Sequence, residues 1–325
     1  MTDALQFQLC MAPLRGLTGA VFRNTYGEYF GGIDWAVTPF LTTIQGTRIK
    51  PSQLKDVLPE NNPHIPVVPQ ILCKRSDNFI SLAKALYDLG YETVNWNLGC
   101  PFPRVAKKQR GSGLLPHPDL IDTFLESVCT QVPNHISIKL RLGRHEPEEI
   151  FALLPVFNCY PIKELIIHPR VGVQMYTGKV DLDSFEKCLG LSRCPVVFNG
   201  DIVSRNGFEK VRARFQSIET WMIGRGLICN PFLPLEIKGV MPEAFDRVAH
   251  FKRFHDTLFE RFAEIRQGPS HLVDAMKGYW GYFYQSFSNA DRFLKKIRKV
   301  QQEDHYRDLV DRFFEDEAQW CSDDD

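Results

Sequence analysis

The stretch CPVVFNGDIVSRNGFEKVRARFQSIETWMIGRG, Cys194–Gly226, contains two short apolar runs, each ending in a glycine turn, with a helical segment between them. The first run ends in Asn199-Gly200-Asp201. Ser204 is placed to cap a helix running through Val211, and the second run ends in Gly224-Arg225-Gly226. A strand, a helix and a second strand joined by short turns form a unit that pairs its strands in parallel. Both turns offer backbone N–H groups, and one adds the guanidinium of Arg225, which suits an anionic phosphate. The alternative is that these glycines only make tight turns.

The same alternation extends back to the start of the chain. The runs FQLCMAP, IDWAVTPF, IPVVPQIL, TVNWNLG, HISIKLRLG, KELIIHPR, CPVVFNGD and ETWMIG are eight candidate strands, with helices predicted between them over Ser76–Leu89 and Pro118–Thr130. A doubly wound open sheet is the rival fold. It calls for a glycine fingerprint after the first strand, whereas the glycines here follow the seventh and eighth strands, where barrels bind phosphate. The expected fold class is therefore α/β: a (β/α)8 TIM barrel over residues 1–240, followed by a small all-α helical bundle over 241–325.

Composition sets further bounds. The 325 residues include 39 basic and 39 acidic side chains, so any nucleic-acid contact requires a local patch. Nine cysteines without paired spacing predict a reducing, cytoplasmic compartment and no metal site. No apolar run approaches the roughly 20 residues of a membrane helix.

Polar residues end several of the strands. Gln70 closes the third, Asn97 the fourth, Lys139 the fifth and His168 the sixth, and the C-terminal mouth of a barrel is where such ends converge. An unpaired ammonium among inward-facing apolar residues is costly, so Lys139 is expected to face a cofactor or an anion. Arg170 strengthens a functional reading of its neighbour His168.

These residues carry a family resemblance. The segments MAPLRGLTGAVFR, VVPQIL, NWNLGCPFPRV…GSGLL, SIKLRLG, IIHPRVGVQMYTG, VVFNGDI and MIGRGLICNP resemble those of the tRNA-dihydrouridine synthases, in family order, across most of residues 7–235. That family joins an FMN-binding barrel to a helical RNA-binding domain. By the resemblance, Cys100 is the active-site cysteine. Pro13, Leu14, Arg15, Gln70, Lys139, His168, Asn199, Gly200, Asp201, Gly224 and Arg225 hold FMN. Asn97 lies near the flavin and the target uracil, and Arg170 is assigned to substrate. The resemblance implies a tRNA substrate, NADPH or NADH as reductant, and a monomer without membrane or metal.

The chemistry gives a lone cysteine a purpose. Saturating the C5=C6 bond of uridine requires a hydride at C6 and a proton at C5, and a thiol with an ordinary pKa of about 8.5 is protonated at neutral pH. A buried structural cysteine is the alternative, but Gly99 and Pro101 on either side of Cys100 favour a loop. Arg104, Lys107, Lys108 and Arg110 make the following loop basic, for phosphate contact or simple solvation.

Helical periodicity takes over after residue 241 and predicts about four helices, one of them carrying Arg292, Lys295, Lys296, Arg298 and Lys299, spaced so that several share a face. Trp280, Tyr282 and Tyr284 either face RNA or pack the bundle. The acidic end FFEDEAQWCSDDD reads as a frayed tail. Four residues depart from the family pattern: Gly19, Pro39, Pro103 and Pro169 stand where aspartate, glutamate, lysine and glycine are usual. Two other functions remain open: a flavin reductase of a small unsaturated substrate, and an RNA-binding protein without catalysis. A dihydrouridine synthase acting on another RNA is a third alternative.

Overall fold

The computed structural model describes residues 7–42, 49–242, 245–266 and 268–321. Nine strands form one parallel sheet: β1 Gln8–Met11, β2 Trp35–Val37, β3 Val67–Val68, β4 Gln70–Ile71, β5 Thr93–Leu98, β6 His135–Gly143, β7 Ile162–Val171, β8 Val196–Phe198 and β9 Thr220–Ile223. Their order is β3-β2-β1-β9-β8-β7-β6-β5-β4, so the two ends of the sheet are the two halves of one sequence run. The eight predicted strands are therefore nine, because Pro69, which has no N–H, interrupts the third. Its carbonyl still accepts from Asn95 N–H at 2.9 Å, and Val68 O accepts from Thr38 N–H at 3.1 Å. The barrel closes across this proline.

Helices cover the outside of the barrel, and two of them open on a side-chain cap. Ser204 accepts from Gly207 N–H at 3.1 Å and opens Arg205–Arg214. Asp181 opens Leu182–Leu191 in the same way. The predicted helices appear as Ser76–Asp88 and Pro118–Cys129. Their apolar faces meet the outward side chains of the strands, as where Phe124 stacks on Trp96 with ring centroids 3.9 Å apart. Burying such a side chain contributes about 1.5–3 kcal/mol.

Gly19 precedes the first helix, Ala20–Tyr29, without a side chain that can cap it. The missing carboxylate comes from Asp56, whose Oδ1 accepts from Ala20 N–H at 2.7 Å and whose Oδ2 pairs with buried Arg23 at 3.1 Å. One residue thus caps the helix and neutralises the guanidinium beneath it.

Beyond the barrel run four helices of seven residues or more among the described residues: Arg247–Ile265, Pro269–Phe283, Asp291–Ile297 and Glu303–Arg312. The first two of these pack on the first helix. Phe22 stacks on Tyr279 at 5.4 Å, and Tyr29 Oη meets Thr257 Oγ1 at 2.6 Å. Trp280 is fully buried in this core. The acidic end is not frayed through Cys321. Phe313 is buried, and Trp320 bridges to Phe287 and packs on Phe232, because two large rings outweigh the local acidic charge. Residues 322–325 lie outside the described residues, as do 1–6.

Candidate active site

The C-terminal strand ends surround a cavity of about 840 Å3. Pro13, Leu14, Arg15, Asn97, Cys100, Lys139, His168, Asn199, Gly200, Asp201, Gly224 and Arg225 all line it. Strand alternation explains the convergence: on β6 Ser137, Lys139 and Arg141 point inward, while Ile136, Ile138 and Leu140 are buried in the outer core.

Cys100 stands on a tightly tied loop. Asn97 Oδ1 accepts from the N–H groups of Gly99 and Cys100 at 3.1 and 2.9 Å, and Cys100 O accepts from both the N–H and the hydroxyl of Ser112 at 3.0 Å each. Gly111 makes the return possible: its φ is +56°, and a Cβ there would press on Cys100 itself. Burial pushes the thiol above its ordinary range despite a backbone hydrogen bond and the nearby Arg141 and Arg15. The thiol is therefore held protonated.

The opposite wall carries positive charge. Burial, and then Arg141, pull Lys139 down to about 7, and its Nζ donates to Asn199 Oδ1 at 2.6 Å. Asn199 is fixed in turn by donating to Met222 O at 3.0 Å. Burial and the surrounding cations hold His168 well below its usual range, so the ring is neutral. Arg170 can only donate to His168 Nε2, 3.3 Å away, which places the ring proton on Nδ1.

The two glycine turns meet at the far end. Gly226 packs so closely on the Ile202 carbonyl that a methyl group would overlap it. Gly200, Gly224 and Arg225 present there an open backbone and one guanidinium. Asp201 does not face an anion freely, because it binds Arg170 at 2.5 Å and Arg225 at 3.1 Å. The same carboxylate thus ties Arg225 to the buried Arg170.

Two assigned residues lie off the cavity wall. Arg170 is 2 % exposed and its guanidinium donates to Asp201, Thr177 O and Gly178 O, so it stands behind the cavity wall. Gln70 is fully buried and touches the site only by accepting from Asn97 Nδ2 at 2.6 Å. Conversely, the cavity includes Arg141 and Tyr176, which the sequence reading did not assign, and Tyr282, which it left open between RNA and the bundle. Arg141 was legible from its spacing of two from Lys139. Tyr176, on an irregular loop, gave no such signal; both Arg141 and Arg225 stack over its ring, at 5.4 and 5.1 Å. Tyr282 brings the helical region to the rim. Pro39 and Pro103 also line the cavity, so two of the departures from the family pattern shape its wall.

Among the described residues no cluster of three or more metal-ligating side chains occurs, and no helix is long and apolar enough to cross a membrane. The barrel resembles the old yellow enzyme homologue from Zymomonas mobilis, at TM-score 0.54 and 15 % identity over 77 % of this chain and 95 % of that one. Morphinone reductase gives 0.52 and 12 % over 72 % and 87 %. At these identities the likeness concerns the fold. By sequence the chain is 26 % identical to the tRNA-dihydrouridine(16) synthase of Pseudomonas putida over 90 % of this chain and 93 % of the relative. It is 25 % identical to tRNA-dihydrouridine synthase B of Vibrio cholerae over 97 % and 98 %. The dihydrouridine synthase family model matches residues 10–319, nearly the whole chain, and with the cysteine loop and cationic wall in place the chain belongs to the dihydrouridine synthase family.

Proposed function

We propose that the protein reduces the C5=C6 bond of a uridine in transfer RNA, using FMN and NADPH or NADH, as a monomer in the cytoplasm. The observation that carries this reading is the pairing of a protonated thiol, Cys100, with a buried cation, Lys139, across one cavity that ends in a glycine cradle with Arg225. The donor set fits FMN: Gly200, Gly224 and Arg225 suit its phosphate, and Asn199, Lys139 and the neutral His168 suit the polar edge of its ring. When bound, FMN supplies the hydride that goes to C6 of the uracil.

The chain does the rest. Cys100 donates its proton to C5 and is restored from solvent, a role suited to a thiol whose burial keeps the proton on sulfur. Lys139 balances negative charge at the cavity floor. Arg141 and Tyr176, beside the cysteine, orient the uracil, which has to leave the RNA stack to enter. Residues 1–240 act as the catalytic barrel and 241–325 as the RNA-binding unit, with Arg292, Lys295, Lys296, Arg298 and Lys299 on phosphates. A small-molecule substrate is disfavoured by exposed Phe102, Arg104, Lys107 and Lys108 along the rim, a surface that suits a polyanion with bases.

Nucleoside mass spectrometry of transfer RNA from cells with and without the gene tests the reading. Position 16, named for the Pseudomonas relative, is the first to examine. Loss of dihydrouridine there, restored by the gene, is expected. Unchanged dihydrouridine throughout the RNA, with FMN-loaded protein that reduces a small enone, would move the assignment to a small-molecule reductase.

A further inference from the structure

The barrel interior has two characters. Cys10, Val37, Ile166, Val197 and Met222 form an apolar half, as expected of a packed barrel. The other half is a line of polar side chains that leads away from the cavity. Asn97 Nδ2 donates to Gln70 Oε1 at 2.6 Å, and Gln70 Nε2 donates to Asn95 Oδ1 at 2.7 Å. Asn95 Nδ2 donates to Ser137 Oγ at 2.8 Å, and Ser137 Oγ donates to Glu164 Oε1 at 2.9 Å. Gln70, Asn95 and Ser137 are fully buried. Buried polar groups are costly unless every member is satisfied, and here each hands on to the next.

The direction of the line is fixed at both ends. At the mouth, Asn97 must present its oxygen to the N–H groups of Gly99 and Cys100, since its NH2 group there would face two donors. At the base, the Glu164 carboxylate can only accept, so Ser137 must donate to it. Both ends impose the same orientation on the three amides between. We propose that Glu164, acting through Ser137, Asn95 and Gln70, is a positioning residue that locks the Asn97 amide and thereby holds Cys100 in place for proton transfer. This rests on the reading of Cys100 as the acid.

Glu164→Gln removes the obligatory acceptor. The amide introduced there can donate to Ser137, so the base no longer enforces the orientation that the mouth requires, and the hold on the Asn97 amide loosens. Displacing a reacting group by about 1 Å costs roughly 10²-fold. Reduction of bound FMN by NADPH, which needs no Cys100, should stay at the wild-type rate, while oxidation of the reduced protein by transfer RNA should slow by ~10-fold or more. In a Cys100→Ala background Glu164→Gln should add no further loss, because both act on one step.

A readout independent of RNA is the iodoacetamide alkylation of Cys100, followed on its tryptic peptide. The freed loop should react roughly threefold faster or more. Should Glu164→Gln fail to fold, Ser137→Ala cuts the line at its next member and is expected to give the same pattern. Equal losses in both half-reactions, multiplying losses with Cys100→Ala, or unchanged alkylation would each overturn the proposal. A wild-type protein that makes no dihydrouridine, yet shows faster alkylation in the variant, would sink the functional reading and keep the positioning line.

Discussion

Replacing Lys139 by methionine separates two consequences of one enclosed ammonium. Methionine keeps the unbranched stem within β6 and removes the charge. Burial, followed by Arg141 on the same strand, brings Lys139 from 10.5 to about 7. At about 1.36 kcal/mol per pH decade that depression is worth at most ~5 kcal/mol, and the partial exposure of Lys139 to the cavity lowers the figure to about 2 kcal/mol. The sign follows from proton counts. The unfolded chain keeps this proton up to about pH 10.4, the folded chain only up to about 7, so between those values the unfolded state binds more protons and stability rises with pH. The penalty is complete below about pH 7 and gone above about pH 10.4. Lys139→Met should therefore raise the melting temperature of cofactor-free protein at about pH 6 by roughly 4 °C, and by less at about pH 9. Removing an electrostatic stabiliser should also slow oxidation of the reduced protein by RNA by ~10²-fold. Melting curves across pH and stopped-flow flavin absorbance check the two halves. A variant that melts lower at every pH, or that transfers to RNA at the wild-type rate, would refute the assignment of Lys139.

Three more outcomes are expected. Gly226→Ala drives a methyl into the Ile202 carbonyl, so FMN affinity should drop at least ~10-fold while Gly190→Ala, in open space, binds normally; flavin fluorescence quenching measures both. Asp56→Ala leaves buried Arg23 unpaired and the first helix uncapped, and urea denaturation should show a loss of about 2–4 kcal/mol. Neutralising Arg292, Lys295, Lys296, Arg298 and Lys299 together should weaken RNA binding in gel-shift assays, with a smaller loss at higher salt, and leave flavin absorbance unchanged.

Much of the architecture was legible because strands of period two and glycine turns alternate with helical segments along the chain. Ser204 and the turns at Gly200 and Gly224 are placed by local chemistry that sequence records directly. What was missed depends on distance. The sequence shows Pro69 inside an apolar run but not that its neighbours part to pair with different strands. Arg170 beside His168 looks like a site residue until Asp201, a strand away, is seen to bind it. Glu164 and Asn95 read as scattered polar residues, and only barrel closure aligns them with Gln70 and Ser137. Trp320 was lost in an acidic tail because its partner rings lie far back in the chain.

The account rests most heavily on Cys100 as the source of the C5 proton, and a single-turnover comparison addresses it. Wild-type protein and Cys100→Ala are reduced with NADPH, mixed with transfer RNA lacking dihydrouridine, and followed by flavin reoxidation without oxygen. The account predicts equal reduction by NADPH and a transfer to RNA slower by ~10²–10⁴-fold in the variant, the usual contribution of a general acid. Transfer at the wild-type rate in Cys100→Ala would contradict it.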